Sequence, residues 1–119
     1  MSAQSVEHST DPLFPMPPIS EASLRSAVRR LDLAEAVRFE QEFHAAWEEA
    51  VQTDSTVPMH TFLHRWGVWV AVRRIPARAA RFHELERAIG MAPTKEDARA
   101  AAIEITAILD DAAAEVTAA

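Results

Sequence analysis

Cysteine and tyrosine are missing from the chain, and its 119 residues include only two glycines and one lysine. Without cysteine, the chain cannot form disulfides, cysteine-ligated zinc sites or iron–sulfur clusters, and it has no thiol nucleophile. The single lysine, Lys95, lies near the last predicted helix, which argues against Schiff-base chemistry in the interior. So few glycines argue against a phosphate-cradling glycine-rich loop and against a β-sandwich with glycine turns.

Long apolar runs and net positive charge are absent as well. No stretch approaches the roughly 18 apolar residues of a transmembrane helix, so we expect no membrane partner. The formal net charge of −6 argues against general affinity for nucleic acid or anionic lipid. The chain does not open with a basic segment followed by an apolar one, so we expect no secretory signal and a cytoplasmic location.

What the chain does contain is apolar residues, at 49% of the total, recurring every third or fourth position. This periodicity predicts an all-α fold, a single small bundle of four to five helices. The predicted helices span about 21–30, 32–52, 57–75, 77–89 and 95–116. A strand over 66–72 is an alternative, because a run of valine and tryptophan also suits a sheet.

Local signals mark the helix ends. Ser20, Asp32 and Thr94 precede predicted helices and are expected to act as N-caps. Gly90 is expected to adopt a left-handed conformation just after the fourth helix. The buried stripe of the second helix is predicted to contain Ala36, Phe39, Phe43, Ala46, Trp47 and Ala50.

The N-terminal segment differs in composition from the rest. Residues 1–19 hold four of the seven prolines, which interrupt helix and sheet alike. We therefore expect a flexible, disordered Pro-rich arm over 1–19 and a helical domain over 20–119. In an alternative interpretation, Leu13, Phe14 and Met16 dock the arm in a surface groove.

Charge is unevenly distributed along the sequence. Residues 58–90 carry six arginines and two glutamates, whereas both flanks are acidic and suit a basic protein partner. One interpretation of the basic middle is a patch that binds phosphate or nucleic acid. The other is internal pairing with glutamates of the second and last helices. The candidate patch consists of Arg73, Arg74, Arg78 and Arg81.

Two histidines have the spacing of metal ligands. His60 and His64 lie four positions apart on the third predicted helix and share one face. A metal site would also need a third ligand from another helix, and no HExxH motif is present. We therefore expect exposed or half-buried histidines, no bound metal and no cofactor, and keep His60 and His64 as the candidate ligands.

The last predicted helix, about 95–116, has apolar residues on two sides. Ile105, Ile108 and Leu109 belong to its main stripe, whereas Ile103 points nearly opposite, which is unusual for a helix that only covers a core. Tryptophan supplies large contact areas at interfaces, so Trp69 is a further candidate. We predict partner binding or homodimer formation through Ile103, Ile105, Ile108, Leu109 and Trp69.

The order of the helical motifs along this chain resembles that of a known protein family. Short, uncharacterised actinobacterial helical proteins share a leucine–aspartate–phenylalanine–glutamate block, a following leucine–tryptophan helix and a proline shortly after it. The matching positions, within about 20–90, are Leu24, Asp32, Phe39, Glu42, Ala46, Glu49, Ala50, Leu63, Trp66 and Pro76. Family members are often encoded beside small RelE/ParE-like toxins and look like antitoxins. The resemblance implies a helical fold and supplies no catalytic residues.

Three hypotheses of function follow. The first is a non-catalytic protein–protein interaction protein, an antitoxin-like partner that wraps a small basic toxin with its last helix and acidic surfaces. The second is a small nucleic-acid-binding regulator that uses the arginines of 73–81. The third is a metal-binding helical protein that uses His60 and His64.

Overall fold

The computed structural model describes residues 9–119, and this part of the chain is all-α, with five helices and no strand. The helices are α1 (Glu21–Leu31), α2 (Leu33–Thr53), α3 (Val57–Arg73), α4 (Pro76–Met91) and α5 (Lys95–Ala118). The all-α prediction is confirmed. The strand considered for 66–72 is wrong, because α3 runs through that segment. None of the five helices is long and apolar enough to cross a membrane.

Three predicted N-caps are confirmed by side-chain hydrogen bonds. The Ser20 hydroxyl accepts from the N–H of Ser23 at 3.3 Å. A carboxylate oxygen of Asp32 accepts from the N–H of Ala34 at 2.9 Å. Thr94 accepts from the N–H of the third residue beyond it at 3.1 Å. These bonds satisfy backbone N–H donors that have no partner inside a helix. Because each bond joins residues close together in the chain, the local sequence was sufficient to predict these helix starts.

Gly90 corrects the predicted end of the fourth helix. It lies inside α4, which continues to Met91, and no described glycine has a positive φ. The left-handed position belongs instead to Asp54 (φ 51°), which ends α2. Asp tolerates this conformation because its short polar side chain can hydrogen-bond locally. Pro76 begins α4, where a missing N–H costs nothing.

The helix α3 is the centre of the fold. It packs against each of the other four helices, whereas α1 and α2 pack on each other and α4 and α5 pack on each other. The α1–α2 pair makes no contact with the α4–α5 pair. Two helix pairs therefore flank a central helix, in agreement with the apolar residues found on most sides of α3.

The core has two parts. Between α1, α2 and α3, the Phe39 ring packs edge-on against Phe62 and Trp66, with ring centroids 5.0 and 5.2 Å apart. Between α3 and the α4–α5 pair, Ala71, Val72 and Ala112 are buried, and larger side chains such as Phe82 and Leu109 pack against them. The two parts of the core hold the α1–α2 pair and the α4–α5 pair against α3 independently.

Residues 9–19 run along the helical body. The N–H of Leu13 donates to the carbonyl of Arg74 at 2.7 Å, and the N–H of Ala77 donates to the carbonyl of Ser9 at 2.8 Å. Phe14 packs on the first part of the core and Met16 on the second. This agrees with the docking alternative, and the prediction of a flexible, disordered arm is not confirmed. Residues 1–8 of that arm lie outside the described residues.

Candidate functional site

The candidate metal ligands are not brought together with others. His60 and His64 are both exposed on α3. Within residues 9–119, no three histidine, aspartate or glutamate side chains converge in a way that could hold a metal ion. On α2, His44 instead pairs with Glu48 at 3.1 Å. The third hypothesis therefore gains no support from the geometry.

Two arginines of the candidate patch share one glutamate of α5. Arg74 donates to Glu115 at 2.6 Å, and Arg78 donates to its other carboxylate oxygen at 2.7 Å. Arg74 also donates to the carbonyl of Phe14, and Arg78 to that of Ala71. Burial acts to raise the pKa of Glu115, but the hydrogen bonds from both arginines outweigh it and lower that pKa. This cluster joins the N-terminal segment to α3, α4 and α5.

A third arginine of the patch is also paired internally. Arg81 donates to Glu104 of α5 at 2.7 Å, and this hydrogen bond raises the pKa of Arg81 and lowers that of Glu104. On α2, Glu42 forms an ion pair with Arg65 at 3.4 Å. Three of the four patch arginines are therefore paired with two glutamates of α5, in the manner of the internal-pairing interpretation.

Arg73 is the exception in this patch. Its guanidinium lies over the rings of Trp69 at 4.5 Å and Phe82 at 5.7 Å from the centroids. No carboxylate in the described part of the chain lies within 4.0 Å of it. Burial lowers the pKa of Arg73, because the charged form has lost part of its hydration.

The residues predicted on α5 to bind a partner have different environments. Ile108 and Leu109 pack on the second part of the core, and Ile105 is half-buried. Ile103 is 64% exposed on the opposite side. Trp69 is half-buried beside Trp66, with ring centroids 5.3 Å apart. The main stripe of α5 is thus core, and Ile103 alone is freely accessible.

A larger apolar surface lies on α2, where the sequence had not indicated one. Its members share one side of the helix and are 56–75% exposed. We call the group the α2 surface, and it consists of Leu33, Val37, Trp47 and Val51. Trp47 had been predicted in the buried stripe, and its 56% exposure corrects this. At 1.5 Å rise per residue, the α2 surface is about 27 Å long.

The surroundings of the α2 surface are acidic. From 39 to 64 the chain has five acidic residues and neither lysine nor arginine. Glu40 and Glu42 of this stretch pair with arginines from elsewhere, but Glu49 and Asp54 have no ion-pair partner among residues 9–119. Exposed carboxylates beside exposed apolar groups favour a partner of opposite charge.

A groove between α2 and α3 lies on another side of α2, since none of the four residues of the α2 surface lines it. It encloses about 430 Å³ and is lined in part by Ala45, Ala46, Glu49, Val57 and Phe62. The four-residue spacing of Leu33 to Val37, and of Trp47 to Val51, is the only sequence signal for the α2 surface. That signal is ambiguous, because the buried stripe of Phe39 lies on the adjacent side of the same helix.

Comparison with known proteins adds no further information on the site. No protein-family model, curated protein or solved structure matches the chain. The resemblance to antitoxin-like actinobacterial proteins therefore stays a prediction.

Proposed function

We propose that the protein is a non-catalytic binding protein and that its α2 surface docks a basic protein partner. The carrying observation is the row of exposed apolar side chains, Trp47 among them, beside a stretch of 26 residues with five acids and no lysine or arginine. Several large apolar side chains exposed on one side of a helix are typical of an interaction site.

The chemistry of the α2 surface favours a particular type of occupant. A helix with leucine- or valine-sized side chains can cover Val37, Trp47 and Val51, while its lysines or arginines approach Glu48, which lines a groove with Trp47 and Val51. Apolar contact would supply most of the affinity, and the opposite charges would speed association and fix orientation. A second copy of this chain fits less well, because two acidic stretches would face each other.

The antitoxin-like hypothesis agrees with this partner chemistry. Toxins of the RelE/ParE type are small and basic, so they have the charge that the α2 surface requires. The proposal moves the main contact from the last helix to α2, because Ile108 and Leu109 are packed against the core. Glu42, one of two carboxylates that line the α2–α3 groove, is held by Arg38 and Arg65, which favours a structural role over acid–base catalysis.

The test uses the full chain, co-expressed with a small basic toxin of the RelE/ParE type, the partner class that the resemblance implies. We expect a complex whose affinity falls as salt rises. Trp47→Glu should weaken binding by about 100-fold, equivalent to about 2.7 kcal/mol, because a central interface tryptophan commonly contributes that much. Isothermal titration calorimetry measures the dissociation constants.

Ile103→Glu is the matched control, since it introduces the same charge at a 64% exposed apolar residue on α5. Binding by this variant should stay within threefold of the original. Loss of binding in Ile103→Glu but not in Trp47→Glu would transfer the interface to α5. A concentration-dependent dimer that Trp47→Glu dissociates would replace the basic partner with a second copy, and absence of any complex would refute the proposal.

A further inference from the structure

A cleft on α3 has no role in the proposed interface. It opens where the α1–α2 pair and the α4–α5 pair leave one side of α3 uncovered, and it encloses about 320 Å³. We call it the α3 cleft. Its polar and aromatic lining comes from Arg38, Arg65, Trp69, Arg73, Phe82 and Glu86.

Arg73 is the distinctive group in the α3 cleft. Both aromatic rings lie against its guanidinium, at 4.5 Å for Trp69 and 5.7 Å for Phe82. A guanidinium has five N–H donors, and the described residues provide Arg73 with one acceptor, the carbonyl of Trp69 at 3.4 Å. The remaining donors have no protein acceptor in residues 9–119.

The neighbouring arginines of this chain are paired with carboxylates, unlike Arg73. Arg74 and Arg78 each donate to Glu115 within 2.7 Å, and Arg81 is paired as well. Arg73 has no carboxylate within 4.0 Å, and the more distant charge of Glu86 does not offset the hydration that burial has removed, so its pKa is lowered. An oxyanion in the α3 cleft would accept the in-plane N–H bonds of Arg73, for which its planar fork is well suited.

The other residues that line the α3 cleft indicate which kind of chemical group would be attached to the oxyanion. Val68, Val72 and Leu109 add apolar wall beside the two rings. Small-molecule sites have this mixture of apolar wall and few polar groups, and they start at roughly 300 Å³. Glu86 also lines the cleft, so a strand of successive phosphates would meet a negative charge there.

We propose that the α3 cleft binds a small amphiphilic anion, a carboxylate or phosphate attached to an apolar or aromatic group. Arg73 holds the oxyanion through its in-plane donors, and the apolar wall holds the attached group. The Arg65 side chain is 60% exposed, and its contact with Glu42 is long, at 3.4 Å. Its guanidinium can therefore turn towards the same anion. This site is separate from the α2 surface, and the inference does not rest on the proposed function.

The test titrates the full chain with four probes: phenyl phosphate, benzoate, inorganic phosphate and benzyl alcohol. Binding is followed by NMR shifts of the Arg73 Nε–H and the Trp69 indole N–H. We expect one or both aromatic anions to bind at least about tenfold more tightly than inorganic phosphate, and benzyl alcohol not to bind measurably. Which aromatic anion binds better distinguishes a carboxylate ligand from a phosphate ligand.

Variants assign the binding to Arg73. Arg73→Met should weaken the aromatic anions by at least about tenfold, whereas Glu86→Gln should tighten them by about threefold, because it removes a repulsive charge. Arg29→Met is the control, since Arg29 is an exposed arginine of α1 outside the cleft. If Arg73→Met does not fold, Arg73→Lys keeps the charge but loses the planar fork, and it should still weaken binding.

Three outcomes would overturn the inference. The first is the absence of binding by either aromatic anion at about 10 mM, a concentration at which even weak sites fill. The second is equal weakening by Arg29→Met and Arg73→Met, which would indicate non-specific charge. The third is that Glu86→Gln and Arg73→Met lower the melting temperature equally and Glu86→Gln does not tighten anion binding, because Glu86 is then the counterion of Arg73.

Discussion

Replacing Glu115 with glutamine tests the cluster that joins the N-terminal segment to three helices. Glu115 accepts from Arg74 at 2.6 Å and from Arg78 at 2.7 Å. The exposed fraction of the side chain is 10% for Arg74, 19% for Arg78 and 26% for Glu115. Glu115→Gln is nearly the same size, so it removes the charge without creating a cavity. Arg74 then keeps its positive charge in the interior with no anion beside it.

The structure sets the expected magnitude. Removing one partner of a fully buried ion pair costs about 3–5 kcal/mol. Glutamine keeps one carbonyl acceptor, and the partial exposure of Glu115 admits water, so we expect a smaller loss of about 2 kcal/mol. In a domain of this size, that lowers the melting temperature by roughly 8 °C.

The effect should also depend on pH. The pKa of Glu115 is lowered below its ordinary value of 4.5, so its charged form is favoured in the fold. The stabilisation is fully present above pH 4.5 and is lost as the pH falls through the lowered folded value. The stability difference between the original chain and Glu115→Gln should therefore shrink below pH 4.5.

Urea unfolding followed by circular dichroism, at pH 7 and at steps down to pH 3, measures both effects. Glu104→Gln is the matched control, since it also removes an α5 glutamate paired with an arginine, but at an exposed site. We expect no measurable change at pH 7 for this control, because solvent screens exposed pairs. The reasoning fails if Glu115→Gln is as stable as the original, or if the difference between them does not change with pH.

Two further predictions concern packing. Phe39→Ala should lower the free energy of unfolding by about 3–5 kcal/mol in the same urea assay, because the ring is fully buried and its removal leaves a cavity. A loss below about 1 kcal/mol would contradict the close packing of Phe39 between α1, α2 and α3. Gly67→Val should destabilise by about 1–3 kcal/mol, since an added Cβ already lies 3.2 Å from Val116 and 3.3 Å from Ile19. At Gly90 an added Cβ meets nothing within 4 Å, so Gly90→Ala should stabilise α4 by up to about 1 kcal/mol. A lower melting temperature for Gly90→Ala, or a higher one for Gly67→Val, would contradict the crowded surroundings of Gly67 and the open surroundings of Gly90.

The sequence predicted several features of the candidate sites, but without their pairwise contacts. The uneven charge left open whether the arginines bind an anion or pair with glutamates of the second and last helices, and it could not single out Arg73. The pairing of Arg74 with Glu115 joins residues 41 positions apart, and Arg81 with Glu104 joins residues 23 apart. Such distances along the chain carry no local signal, so the unpaired arginine is identified only after the helices have packed.

The sequence by itself indicated an all-α bundle and three of its helix starts, because apolar periodicity and the caps at Ser20, Asp32 and Thr94 act within a few residues. Only the tertiary structure decided which apolar side chains are covered. The helix α2 has 21 residues and α1 has 11, so α1 covers only part of its neighbour. Trp47 thus stays exposed although its spacing suits a buried stripe, because burial depends on where neighbouring helices end.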